Sequence, residues 1–263
     1  MPLLDVCKAV ALTVGQGVPT QVIGAADRSG LEFQHLATEV GQRICWDSGI
    51  DWRELLTFKY YNLSEAISDA AGNFVSYALP SDYKRMPRLS HLFLVDDPRR
   101  PLYHCTDQMQ WQSDTFAQVT INGGYSGMWM LLGQKVFVRP FTAATSGSHL
   151  VLPYISNRIC QSWAQNVPTP PGVNTSGPAW LSDGHYFVLD ERLLRLGMIW
   201  QWRSSKGSPY TEDMATFEHA LTQAKADNGG TQEIIRTVEN YLRRYNVAQS
   251  YPYAVPSVSP YPL

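Results

Sequence analysis

Residues 190–203 carry the pattern that most restricts how this chain can fold. Leu193, Leu194, Leu196, Met198, Ile199, Trp200 and Trp202 crowd a stretch opened by Asp190 and Glu191. Asp190 suits an N-cap, and Glu191 suits the positive first turn of a helix. At about 100° per residue these apolar side chains point almost all round the axis. A helix of that kind cannot lie on a wet surface. It needs cover on both sides, from its own fold or from a neighbouring copy. Leu193, Leu196, Trp200 and Trp202 are the candidate anchors, within the fold or between subunits. Gly207 and Pro209 stop the helix. A second helix begins near Thr211, with Glu212 and Asp213 at its positive end. Met214, Phe217, Ala220, Leu221 and Ala224 give it a single stripe.

The start of the chain repeats the one-sided pattern. Leu3, Val6, Cys7, Val10 and Val14 line one face of a helix over residues 3–14, broken by Gly15, Gly17 and Pro19. Ser29 and Glu32 have the spacing of a capping box. Phe33, Leu36, Ala37, Val40 and Ile44 make the following stripe, closed by Gly49, and a short helical turn is expected over residues 51–56. These helices need partners, and those after Asp190 are the obvious ones.

Between the two helical ends the period changes. Strands are expected around Phe58 and Tyr60 and over residues 73–79, 91–95, 102–105, 116–121, 128–132, 135–139 and 150–155. Gly123-Gly124 and Gly133-Gln134 read as turns, and Pro80 starts another. The expected fold is α+β. Residues 1–56 and 189–245 form an α-helical bundle, and residues 57–188 form an inserted antiparallel β-sandwich or barrel. Thr231 caps a third late helix over residues 232–245. There Ile234, Val238, Tyr241, Leu242 and Tyr245 share a face, opposite Arg236, Glu239, Arg243 and Arg244.

Residues 246–263 are an arm without Asp, Glu, Lys, Arg or His. Tyr251, Tyr253 and Tyr261 alternate there with Pro252, Pro256, Pro260 and Pro262. Such a segment favours polyproline II and reaches roughly 55 Å at about 3.1 Å per residue. A purely solvating tail would carry charge, so docking on a partner groove competes with the disordered reading.

Charge narrows the partners. The formal net charge is −2 over 263 residues, with no electrostatic case for wrapping nucleic acid. Between Asp114 and Asp183 there is no carboxylate, and Lys135, Arg139 and Arg158 are the full charges. That fits a sheet-rich domain with polar loops, or a surface meeting protein or a DNA backbone without acidic repulsion. Cys7, Cys45, Cys105 and Cys160 are far apart in sequence and read as buried thiols. The N-terminus lacks the form of a signal peptide, and residues 115–134 read as strands and not as a membrane span. No cofactor loop, metal cluster or catalytic constellation emerges. Gly124-Tyr125-Ser126-Gly127-Met128 misses a nucleophile elbow at Met128, and the six histidines lack metal-ligand spacing. Trp129, Tyr125, Trp163 and Trp180 offer an alternative, a sugar-stacking platform of a tail-associated glycan- or receptor-binding or decoration module.

Three stretches resemble one family. LLDVCKAVALTVG, with VPTQVIGAADRSGLEFQHLATEVGQRI after it, is similar to the opening helices of phage head-to-tail adaptor (connector) proteins. Leu79-Pro80-Ser81-Asp82-Tyr83-Lys84-Arg85-Met86 resembles their LPxDyxRm turn. Residues 189–225, with DERLLRLGMIWQW and then KGSPYTED, are similar to their late helical hairpin. The resemblance implies a ring, usually a dodecamer, beneath the capsid portal in the virion. It implies a portal protein on one side and a downstream tail or nozzle protein on the other. Packaged DNA would pass through the lumen, with no membrane, no cofactor and no enzymatic activity. It places Tyr241, Tyr245, Tyr251, Tyr253 and Tyr261 on the portal side.

Overall fold

The computed structural model describes residues 1–62, 67–68, 74–88, 90–116, 127–140, 149–162 and 177–229. In chain order these form α1 (Leu3–Val14), α2 (Arg28–Gln42), a π-helical turn (Arg43–Asp47), a 3-10 turn (Arg53–Leu55), β1 (Leu56–Asn62), β2 (Ile67–Ser68), β3 (Val75–Ala78), β4 (Tyr83–Arg85), β5 (Phe93–Leu94) and β6 (Tyr103–His104). There follow α3 (Gln108–Phe116), β7 (Gly127–Leu132), β8 (Lys135–Pro140), β9 (His149–Ser156), β10 (Cys160–Gln161), β11 (Tyr186–Phe187), α4 (Glu191–Ser205) and α5 (Thr211–Gly229). The protein is therefore mixed α+β. The helix expected over residues 232–245 and the arm lie outside the described residues.

The helices form where period and caps agree. Asp190 accepts a hydrogen bond from the Arg192 N–H at 2.8 Å and opens α4. Gly15 and Gly207 adopt positive φ, 74° and 69°, where α1 and α4 end; a side chain there would be strained. The start of α2 departs from expectation. Asp27 is the cap, accepting from the Gly30 N–H at 2.9 Å, so the helix begins ahead of the Ser29–Glu32 box. Glu32 instead pairs with Arg28 and Lys206, both at 2.8 Å.

Helices from the two ends of the chain share one apolar core. Leu3, Val6, Val10, Phe33, Val40, Ile44, Leu193, Met198, Trp202 and Phe217 lie in it. Ile155, Cys160, Trp180 and Phe187 join them from the strand region. Helix α4 contacts α1, α2 and α5, so its all-round apolar surface is covered by its own chain.

The strands make open sheets and not a closed barrel. In one, β9 is flanked by β1 on one edge and by β4 and β5 in succession on the other. Pro153 falls in the interval between β5, at Val151, and β4, at Ile155, where that edge has no strand partner among the described residues. The second sheet runs β2-β3-β8-β7-β6, and β10 pairs with β11. The expectation of purely antiparallel pairing is corrected at β6, which lies parallel to β7. Tyr61, Leu94, Leu150 and Leu152 of the first sheet share an apolar cluster with Tyr77, Trp129, Val136 and Val138 of the second. Alternation turns Met128 and Met130 to the opposite face, where Trp111 of α3 covers them. Helix α3 stands where sequence gave no helix, and Phe116, expected to open a strand, ends it; residues 117–126 lie outside the described part.

Candidate assembly surface

The four candidate anchors of α4 are packing groups. Leu193 and Trp202 are 2% and 6% exposed, Trp200 is 8%, and Leu196 is half-buried against the same core. The Trp202 ring stacks on Phe33 with centroids 4.9 Å apart and planes at 14°. The Lys206 ammonium sits 4.7 Å above the Trp202 ring. Trp200 lies among Tyr210 and Phe217, with the Arg43 guanidinium 5.0 Å over it. All four therefore pack against helices of their own chain. Tyr241, Tyr245, Tyr251, Tyr253 and Tyr261 lie outside the described residues.

The stretch of residues 79–86 braces the sheets to the helices. The Pro80 carbonyl accepts from the Tyr83 N–H at 3.0 Å, closing the turn. The Asp82 carboxylate accepts from the Tyr154 hydroxyl and the Ser156 hydroxyl, each at 2.9 Å. The Asn157 N–H donates to the Asp82 carbonyl at 2.7 Å. On the helical side Lys84 lies 4.0 Å over the Trp46 ring, and Arg85 pairs with Asp51 at 2.6 Å. A second tie is Asp183, whose carboxylate takes the Val22 and Ile23 N–H groups at 3.2 and 2.7 Å. Sequence alone offers no signal for either tie, because the partners are dozens of residues apart.

Among the described strands, β1 shows an apolar face to solvent. Leu56, Phe58 and Tyr60 share a face of β1 and are 37%, 50% and 59% exposed. Their alternation is visible in the sequence, but their exposure is not. Near the start of β1, the Asn228 side chain accepts from the Arg53 N–H at 3.2 Å and donates to the Glu54 carboxylate at 2.6 Å. The last turns of α5 are thus fastened at the foot of that strand. A groove of ≈ 530 Å³ between the π-helical turn and α5 is lined by Arg43, Asp47, Phe217, Glu218 and Lys225 among others. Its charges are of both signs.

All four cysteines are buried free thiols. Burial pushes the Cys7 thiol up to about 12 and the Cys160 thiol up to about 11, away from the nucleophilic thiolate. Cys45 and Cys105 are raised for the same reason. Burial lowers His91, His104 and His185. Among the described residues no three His, Cys, Asp or Glu side chains stand together as metal ligands. No helix of the described residues is long and apolar enough to cross a membrane. Of the aromatics that suggested a sugar platform, Trp129 and Trp180 are each 3% exposed. Trp129 is stacked under His104 at 4.1 Å, so its faces are spent on packing; Tyr125 and Trp163 are outside the described residues.

Searched against protein-family models and against curated proteins, the chain matches none of them.

Proposed function

We propose that this chain is a structural virion protein that assembles into a ring between the capsid portal and the tail. The observation that supports this most is architectural. Helices from the two ends of the chain close on one core, and the sheets issue from between them at the brace of residues 79–86. That is the arrangement implied by the resemblance to head-to-tail adaptor proteins. On this reading residues 1–56 and 189–245 are the helical bundle, residues 57–188 the inserted β domain and residues 246–263 the arm. The ring is a dodecamer, its lumen passes packaged DNA, and the work is interface energy with no enzymatic step. A head-to-tail contact repeated between copies closes such a ring when its rotation divides the circle. Tyr241, Tyr245, Tyr251, Tyr253 and Tyr261 face the portal, and the sheets face the downstream tail or nozzle protein.

Mass photometry of the purified chain with portal rings tests this. The expected product is a portal–adaptor complex of fixed stoichiometry. Deleting residues 246–263 should weaken attachment and leave a folded protein. A chain that stays monomeric at micromolar concentration and ignores the portal refutes the proposal.

A further inference from the structure

One side-chain amide ties the last turn of α5 to the foot of β1. Asn228 Oδ1 accepts from the Arg53 N–H at 3.2 Å, and Asn228 Nδ2 donates to the Glu54 carboxylate at 2.6 Å. The residue after it is Gly229. An asparagine followed by glycine is the pair most prone to lose its side-chain amide, because glycine has no Cβ to shield its backbone nitrogen. Among the described residues Asn228 alone has a glycine behind it; Asn62 precedes Leu63, and Asn157 precedes Arg158. Asn228 is half-buried and stands at the end of α5, and helix ends open more readily than helix interiors.

We infer that Asn228 is a modification site, where spontaneous deamidation unfastens the end of α5 from the foot of β1. The Gly229 backbone nitrogen gives its proton to solvent base and attacks Asn228 Cγ. A bond forms between that nitrogen and Cγ, the bond from Cγ to Nδ2 breaks, and ammonia leaves with the proton returned. Water then opens the five-membered imide at either carbonyl, giving aspartate or isoaspartate. The net change is amide plus water to acid plus ammonia.

The product undoes what the amide does. A carboxylate has no N–H to donate, so Glu54 loses its partner and faces a like charge. Asp227 already carries a carboxylate on the same turn, engaged by Gln223 at 3.1 Å. The last turn of α5 has no basic residue, and a negative charge at the C-terminal end of a helix opposes its dipole. Isoaspartate does more, since it routes the main chain through the side chain and interrupts the helical ladder. The same ties set the pace. The amide must leave Glu54, and the turn must unwind, before the Gly229 nitrogen reaches Cγ. The folded protein therefore delays the reaction, and whatever loosens the turn hastens it. Nothing in this chemistry depends on ring assembly.

Peptide mapping by mass spectrometry of the full chain, held at mildly alkaline pH, reads the product at each asparagine. In the native protein Asn228 should become aspartate and isoaspartate while Asn62 and Asn157 stay amides. Glu54→Ala should speed the native conversion about fivefold, the factor that one surface hydrogen bond corresponds to, and leave the rate in denaturant unchanged. Gly229→Ala, whose methyl crowds the attacking nitrogen, should abolish the product. Asn228→Asp should raise amide hydrogen exchange over residues 225–228 about fivefold and leave α4 as it was. No product at Asn228 in the native chain, over a time in which the denatured chain converts, overturns the inference. So does a native Glu54→Ala rate no faster than wild type, or conversion that persists in Gly229→Ala. Exchange in Asn228→Asp that matches wild type overturns it as well, since the amide would then fasten nothing.

Discussion

Gly197 sits in the middle of α4, where a glycine ordinarily costs a helix about 1 kcal/mol relative to alanine. Gly197→Ala should therefore stabilise the protein if space were the only open question. It is not open. A Cβ at this position would stand 2.4 Å from Val40 Cγ1 and 3.2 Å from Phe217 Cε2. The first distance is more than 1 Å inside ordinary contact. Val40 cannot easily swing clear, because a β-branched residue in a helix holds one χ1 rotamer. The helices α2 and α4 must part instead, and Phe33 and Trp202, stacked between the same two helices, part with them. Overpacking of this kind costs about 1–3 kcal/mol. Set against the propensity gain of about 1 kcal/mol, the expected net loss is about 0–2 kcal/mol. Gly41 is the internal control. Its Cβ would meet Phe187 Cε2 at 3.5 Å and Ile159 Cδ1 at 3.6 Å, which is ordinary contact, so Gly41→Ala should gain about 0.5–1 kcal/mol. Urea titrations of both variants, with the double variant Val40→Ala/Gly197→Ala, measure the difference. The double variant should be at least ~1 kcal/mol more stable than the sum of its single changes predicts. A Gly197→Ala protein about 1 kcal/mol more stable than wild type, the full propensity gain, would refute the close approach of α2 and α4.

Three further outcomes follow from the same structure. Asp82→Ala should destabilise by about 2 kcal/mol, since it strips a charged acceptor from the Tyr154 and Ser156 hydroxyls; a chemical denaturation curve checks it. Burial raises the Tyr61 phenol to about 12, above its unfolded value near 10, so the folded state holds this proton longer than the unfolded one. Its contribution is intact below pH 10 and is lost as pH climbs from 10 toward 12; Tyr61→Phe should flatten that part of a stability–pH profile. Cys7, Cys45 and Cys160 should resist an aromatic disulfide reagent at pH 8 in the native protein and react at once in denaturant. Rapid native labelling of all three would contradict their burial.

The helices were legible because several local signals agreed. Asp190, Gly15 and Gly207 mark ends that period alone would leave loose. Where signals were short or competed, reading failed. Asp27 outcompetes Ser29 as a cap, and nothing in the sequence distinguishes the two. Helix α3, QMQWQSDTF, is polar with Trp111 as its buried anchor, so it shows little period to detect. Strand β4 is three residues behind Pro80 and reads as part of a turn. The strands β10 and β11 are two residues each and pair with each other, with single bridges from Cys160 to Gly177 and from Tyr186 to Pro2. For the surface, the sequence indicated apolar alternation at Phe58 and Tyr60 but not which strand would close the sheet. That depends on long-range pairing, which no local pattern encodes.

Strand β9 has a mechanical consequence. Leu150 and Leu152 are rooted among the sheets, while Ile155, an odd number of positions on, is rooted among the helices. A taut run of eight residues, paired to β1 from His149 to Ile155, thus belongs to both halves at once. Force applied to the sheets reaches the helices through a stiff rod and not a slack tether. The two halves should yield together, as one cooperative element, when the molecule is pulled, heated or strained by whatever it holds.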